Sequence, residues 1–175
     1  DYPELYEKTL PLIRDINRLY KKHTPVDFKK QNNKAKETAF KIPGTAFTTI
    51  TTNVNFRTSI HTDKGDDNEG FGNLVVIEKG KYSGAETCFP QYGIGVDVRT
   101  GDILFMNVHE LHGNLPMTPI DADSRRLSVV CYLRENLWKR TREKSEYFFK
   151  KHIKTLRNLG NKTKIDNKTR KNKRK

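Results

Sequence analysis

Apolar positions change their rhythm twice along the chain. From about residue 10 to about 22, Leu12, Ile13, Ile16, Leu19 and Tyr20 recur at helical spacing, behind Thr9 and Pro11, which read as a helix start. One stripe of such a helix can rest on a core. The stretch from Lys29 to Lys36, with Asn32 and Asn33, shows no period and reads as loop. From Ala39 onwards short β-rich runs take over: Ala39–Ile42, Ala46–Asn53, Phe56–His61, Leu74–Glu78, Glu86–Phe89, Ile94–Val98, Ile103–Met106 and Leu127–Leu133. Turn glycines such as Gly44, Gly65, Gly80, Gly93 and Gly101 divide them. Short strands at this spacing predict a sandwich, a jelly roll or a small barrel. After Glu135 the helical rhythm returns through Leu137, Trp138, Phe148, Phe149, Ile153, Leu156 and Leu159, with Gly160 as a stop. The segment from Asn161 to Lys175 holds one aliphatic residue, Ile165, and its composition predicts disorder.

Composition refines this outline. The 175 residues suit one domain, expected over residues 1–160, with a basic tail at 161–175. Hydrophobic residues make up only 34%, but 9 Phe, 7 Tyr and 1 Trp are enough to build a core and exclude full disorder. The formal net charge is +13, and its location matters more than its size. Residues 1–138 carry 18 basic and 18 acidic side chains, whereas residues 139–175 carry 16 basic against Glu143, Glu146 and Asp166. The excess therefore belongs to the C-terminal helix and tail, where phosphate neutralisation, a nuclear-localisation run at Lys171–Lys175, or simple solubilisation each fit. Cys88 and Cys131 are too far apart for a CxxC motif, so neither a disulfide framework nor a zinc ribbon is indicated and a reducing compartment is expected. No apolar run is long enough to span a membrane, and no signal-peptide pattern opens the chain, which begins with Asp1 as a trimmed chain would. An intracellular protein is expected.

Three segments carry chemistry. His61-Thr62-Asp63 closes a predicted strand, and residues i and i+2 of a strand project to one face, so an imidazole and a carboxylate can reach one metal ion. Alone, the triplet also fits a surface pair at a strand end. The second segment runs from Gly101 and Asp102 through the apolar Ile103–Met106 to His109, Leu111 and His112, delivering histidines to its far end. The third is Arg125–Leu133, in which Arg126, Ser128, Val130 and Tyr132 share one strand face and Arg125 faces away. Two histidines and a carboxylate leave coordination positions open, as in non-haem Fe(II) oxygenases. Arginine supplies the fork that a dicarboxylate cosubstrate needs.

These motifs resemble the Fe(II)/2-oxoglutarate dioxygenases, and within them most closely the TET/J-binding-protein group that oxidises methylpyrimidines in DNA. The resemblance covers about residues 50–134. It rests on His61-x-Asp63, the Gly101-Asp102 strand ending in Leu111-His112, and Arg126-Leu127-Ser128-Val129-Val130-Cys131-Tyr132, with about 50 residues between the first and second histidine. It implies a mainly β protein with flanking helices (α+β) around a double-stranded β-helix (jelly roll, cupin-like) core at about 39–134, with a C-terminal helix at about 135–159. It further implies that His61, Asp63 and His112 hold Fe(II), with His109 as the rival distal ligand, and that 2-oxoglutarate and O2 are cosubstrates. Arg126 and Ser128 take the distal carboxylate of 2-oxoglutarate, and Arg57 resembles a strand arginine near that cosubstrate. Asp66, Tyr132 and Arg134 fall where relatives contact the extruded base. An ionised Asp66 accepts from the amino group of cytosine, which favours 5-methylcytosine over thymine. Arg134 departs from the histidine that relatives carry, and the Cys-rich module of animal TET enzymes is absent. The product expected is the 5-hydroxymethyl base, with succinate and CO2. The expected partner is DNA, bound by a monomer in a nuclear, viral or bacterial setting, with the basic helix and tail on the phosphates. Two other classes stay open: an oxygenase of the same fold acting on protein side chains or small molecules, as the likeness to prolyl hydroxylases allows, and a non-catalytic basic DNA-binding jelly roll.

Overall fold

Residues 2–153 are described by the computed structural model. The alternation of side chains on β9 (Arg125–Tyr132) organises the fold. Leu127, Val129 and Cys131 point to one face of its sheet, and Arg126, Ser128, Val130 and Tyr132 to the other. β9 lies between β1 (Thr49–Val54) and β2 (Gly72–Lys79), and β2 also pairs with β6 (Ile103–Met106), giving the antiparallel order β1-β9-β2-β6. Register fixes which side chains share a face: Asn53 and Val76 both oppose Ser128, while Thr51 and Leu74 both oppose Val130. A second, three-stranded sheet, β5-β4-β7, is made from β4 (Thr87–Phe89), β5 (Ile94–Val96) and β7 (Gly113–Asn114). β3 (Tyr82–Gly84) pairs with β8 (Met117–Pro119). Residues of the first two sheets line one cavity between them, which is the jelly-roll layout expected.

The other face of the large sheet carries the main core. α1 (Pro3–His23) lays Ile13, Ile16 and Tyr20 on Val75, Val129 and Cys131, and α2 (Pro25–Lys36) adds Phe28. Burying each of the aliphatic side chains contributes about 1.5–3 kcal/mol. Tyr20 is fully buried, with its ring against Phe28, Phe47 and Phe105. Its hydroxyl accepts from Phe71 N at 3.0 Å and donates to Gln31 Oε1 at 3.2 Å, and Gln31 Nε2 donates to Ala46 O at 3.0 Å. These buried polar groups are thus satisfied, and they tie both helices to the chain entering the sheet.

Several sequence expectations need correction. Residues 29–36 are not loop but most of α2, because the buried positions Phe28, Gln31 and Ala35 keep helical spacing with a glutamine as the middle member. α1 starts at Pro3 rather than near residue 10 and carries Pro11 inside it. Ala39–Ile42 forms bends and turns, and Phe56–His61 is irregular apart from one bridge, His61 to His112. The C-terminal helix is interrupted. α3 (Glu135–Thr141) stops where Arg142 bridges to Thr38 and Glu143, at φ 64°, donates its N–H to Glu37 O. Helix resumes over 146–153; the rest of the predicted helix, Gly160 and the basic tail lie outside the described residues.

At the outer end of β2 the Glu78 carboxylate accepts from Thr100 N at 2.6 Å and Arg99 Nη1 at 3.0 Å. Burial opposes its ionisation, yet the donors gathered around it prevail and hold its pKa down to about 2. A carboxyl with a depressed folded pKa contributes stability above its unfolded pKa of about 4.3 and loses that contribution as pH falls toward 2. Glu78→Gln should therefore lower the unfolding free energy at pH 7 by about 2–3 kcal/mol and bring the two proteins together near pH 2, as measured by urea melts across that range.

Candidate metal centre and its cavity

The His61 segment has no ladder of its own and is fastened to β7 by backbone bonds. His61 N donates to His112 O and His112 N to His61 O, both at 2.9 Å, and Asn114 N donates to Thr58 O at 3.1 Å. The Asn114 side chain completes the latch, with Oδ1 accepting from Thr58 N at 2.7 Å and Nδ2 donating to Phe56 O at 3.2 Å. Asp63 N donates to Val108 O at 2.9 Å, so the carboxylate follows its histidine onto the same wall. Behind it, Asp67 is buried and paired with Lys34 Nζ of α2 at 2.5 Å, while its N–H donates to Leu133 O. The loop from Asp63 to Asp67 is thereby held at both ends.

The three side chains converge. One ligand atom from each of His61, Asp63 and His112 lies within 4.8 Å of the other two. His61 Nε2 is 3.2 Å from Asp63 Oδ1, and His112 Nε2 is 3.6 Å from Asp63 Oδ2. Each imidazole turns its Nδ1 to the carbonyl two residues back, His61 to Ser59 O at 2.8 Å and His112 to Glu110 O at 2.9 Å. A carbonyl only accepts, so both Nδ1 atoms carry the hydrogen and both Nε2 atoms aim at the shared point as donors to a cation. His112, next to Asp63, holds its carboxyl below the ordinary carboxylate range against burial. Burial works against a charged His112, but Asp63 and the Glu110 carbonyl outweigh it and raise its pKa. Two imidazoles and one carboxylate suit a borderline divalent ion such as Fe(II), Zn(II) or Co(II), with coordination positions left on the cavity side.

The cavity measures about 250 Å3, and His61, Asp63 and His112 line it together with Arg126, Ser128, Asp66 and Tyr132. Arg126 is 6% exposed, and its guanidinium has no hydrogen bond or ion pair among the described residues. Its backbone is clamped: Arg126 N donates to Asn55 Oδ1 at 2.7 Å and Asn55 N to Arg126 O at 2.9 Å. Ser128 is buried two residues further along the same face. Tyr132 shares a hydrogen bond with Thr51 Oγ1 at 3.2 Å. Asp66 is buried; burial first, then the Asp63 charge, push its carboxyl up to about 7.

Not every candidate reaches the cavity. Arg57 is exposed and does not line it; the irregular segment 56–60 turns Phe56 and Thr58 to the wall and Arg57 away from it. Arg134 is exposed and outside the lining, but it bridges to Asp66 through backbone and its charge partly offsets the upward shift of the Asp66 carboxyl. His109 lies outside the lining, on a turn whose N–H donates to Asn107 Oδ1, and its buried Nε2 has no partner among the described residues. Asn53 and Asn114 line the cavity although neither was a candidate. Strand alternation marks both in the sequence, Asn114 two residues after His112 and Asn53 on one face with Thr51.

A family model described as Tet_JBP, the oxygenase domain of the 2OGFeDO superfamily, matches residues 1–135. The chain is 37% identical over 127 residues to the bifunctional helicase and thymine dioxygenase JBP2 of Trypanosoma cruzi, covering 73% of this chain and 12% of that protein. It is 32% identical over 139 residues to the thymine dioxygenase JBP1 of Trypanosoma brucei brucei, covering 78% of this chain and 16% of that protein. The chain thus spans a small part of the curated relatives it matches. A solved structure of NgTET1 in complex with 5mC DNA superposes with a TM-score of 0.63 at 14% identity, over 88% of this chain and 62% of that one, and so shares its fold.

Gly113 tests how far the centre depends on the latch. A Cβ there would stand 2.9 Å from Thr58 O and 3.1 Å from Ile60 N, both backbone atoms. Gly113→Ala should push the two segments apart, costing about 1–3 kcal/mol in thermal melts and weakening Mn(II) affinity in a calorimetric titration.

Proposed function

The chain belongs to the Tet_JBP family, oxygenase domains of the 2OGFeDO superfamily, and on that premise we propose that it oxidises the 5-methyl group of a pyrimidine in DNA to the 5-hydroxymethyl group, with Fe(II), 2-oxoglutarate and O2. The observation that carries this reading is the pairing of a His61–Asp63–His112 donor set with an unpartnered, buried Arg126 in one cavity. A donor set alone fits many metals; a fork-shaped cation a few side chains away adds a seat for a carboxylate. When bound, the metal would let O2 act as the oxidant, with one oxygen atom going to the methyl group and the other to 2-oxoglutarate, which leaves as succinate and CO2.

The remaining work falls to the chain. His61, Asp63 and His112 hold the metal, with Ser59 O and Glu110 O keeping both imidazoles in the tautomer that donates from Nε2. Arg126 takes the distal carboxylate and Ser128 adds a hydroxyl donor. Tyr132, at the cavity wall beside Thr51, stacks on a base turned out of the duplex, since a methyl group still in the base stack cannot reach donors set inside a cavity. Asp66 hydrogen-bonds that base. Burial and the Asp63 charge raise its carboxyl, so Asp66 is not fixed as an ionised acceptor and does not by itself favour cytosine. Thymine therefore comes before 5-methylcytosine, since the relatives at 32% and 37% identity are thymine dioxygenases. Arg134, whose charge acts on Asp66, stays beside the base-side residues, whereas Arg57 is exposed away from the cavity.

The Lys- and Arg-rich segment from residue 139 onwards neutralises phosphates, which separates DNA attraction from chemistry along the chain. A DNA-associated location follows from this reading, and no helix among the described residues is long and apolar enough to cross a membrane.

Incubation with Fe(II), 2-oxoglutarate and DNA, with or without 5-methylcytosine, followed by nucleoside mass spectrometry, should yield a 5-hydroxymethyl nucleoside that requires 2-oxoglutarate. Its identity reports the base. His61→Ala and Asp63→Ala should each abolish it, and absence of any hydroxylated nucleoside with the unaltered chain would overturn the reading. Ending the chain after Gly160 should weaken DNA binding and flatten its salt dependence by about 0.9 in log–log slope for each phosphate that is no longer neutralised, while DNA-independent succinate release continues.

A further inference from the structure

Arg126 has an acid opposite it in the sheet. Glu78 and Arg126 are Cα partners across β2 and β9, so their side chains leave the same face, where directly opposed residues are close enough to pair. No ion pair joins them. The Glu78 carboxylate is instead engaged by the turn that precedes β6: Oε1 accepts from Arg99 Nη1 at 3.0 Å and Oε2 from Thr100 N at 2.6 Å. The turn itself is anchored, because Glu78 N donates to Thr100 Oγ1 at 2.8 Å and Thr100 bridges to Val76. Arg99 is held from two further sides, by Asp97 Oδ1 at 2.6 Å from its Nε and by the Tyr82 ring, 4.4 Å from the guanidinium carbon.

We propose that Arg99, with Thr100, sequesters the Glu78 carboxylate and thereby keeps the Arg126 guanidinium open to the carboxylate of the cosubstrate. Arg99 is a positioning residue: it acts through Glu78 and touches neither metal nor cosubstrate. Without it, Glu78 keeps only the neutral Tyr82 hydroxyl and Thr100 N–H beside it, and a glutamate directly across the strand that has lost its cationic partner can turn to Arg126 and occupy the donors that 2-oxoglutarate needs. The same face of the sheet would then hold an internal ion pair in place of a ligand seat. The inference rests on the assignment of Arg126 under Proposed function.

The test is 2-oxoglutarate affinity, measured calorimetrically with Fe(II) under nitrogen on the whole chain. Arg99→Met should weaken binding about tenfold, Glu78→Gln alone should leave it within about twofold, and the double variant Glu78→Gln/Arg99→Met should return close to the unaltered chain, since a neutral amide cannot compete as an ion. A structural role for Arg99 would not be relieved by Glu78→Gln, so equal weakening in the single and double variants overturns the proposal, as does unchanged affinity in Arg99→Met. Should Arg99→Met fail to fold, Asp97→Asn loosens Arg99 more gently and should weaken binding about threefold, again reversed by Glu78→Gln. Arg126→Met separates the two levels. If it binds 2-oxoglutarate as tightly as the unaltered chain, the assignment of Arg126 fails and the proposal with it; if it loses affinity while Arg99→Met does not, only the role of Arg99 is lost.

Discussion

Two backbone hydrogen bonds, His61 to His112 and back, are the constraint on which the site depends. Metal donors from segments 50 residues apart must meet within a few ångströms, and side chains alone cannot enforce that against the entropy of an irregular segment. The chain solves this by giving residues 58–61 a partner strand only two residues long, then closing the remaining backbone groups with the Asn114 side chain. Gly113 admits the close approach. Each histidine is then oriented by a carbonyl two residues before it, so the geometry of the donor set is set by backbone and does not wait for a ligand to form.

Everything behind that latch follows from the two faces of one sheet. The odd-numbered residues of β9 and their partners on β1 and β2 carry the contact with α1 and α2, and the even-numbered residues line the cavity. A slip of one residue would exchange Val129 and Cys131 for Ser128 and Val130 and ruin core and cavity together, which is why register here is strongly specified. Stability and chemistry share the same strand. The Tyr20–Gln31 pair matters for the same reason, because it fixes the helices on the face opposite the site.

How much of this the sequence disclosed depended on whether local spacing or distant partners set the conformation. Spacing alone grouped His61 with Asp63 and Arg126 with Ser128, because side chains at i and i+2 of an extended chain share a face, whereas His112 was marked over His109 only by the family resemblance. α2 was missed because its buried stripe has Gln31 at the centre, and a polar residue becomes a core residue only when Tyr20 and the Ala46 carbonyl, 11 and 15 positions away, are there to satisfy it. The break after Thr141 was missed for a related reason: the apolar period runs on, but Glu37 O captures the Glu143 N–H from across the fold. Arg57 shows the limit of pattern most plainly. Phe56 and Ile60 look like alternate members of a strand, yet both are exposed, and the segment takes its shape from Asn114 rather than from burial.

The treatment of buried charge distinguishes this cavity from a generic metal site. Elsewhere the chain follows the usual rule: the enclosed carboxylate of Asp67 is met by Lys34, and Arg99 lies between Glu78 and Asp97. Arg126 breaks that rule at 6% exposure, with an acid available opposite it that is engaged by other donors. A buried guanidinium without a counter-charge costs several kcal/mol, and a fold that bears this cost beside three metal donors gains from it only when an anion arrives. The unpartnered arginine thus narrows the chemistry more than the donor set does. Two imidazoles and a carboxylate admit hydrolytic and oxidative metals alike; a buried guanidinium without a counter-charge across the same cavity favours, among them, a metal that works with an anionic cosubstrate.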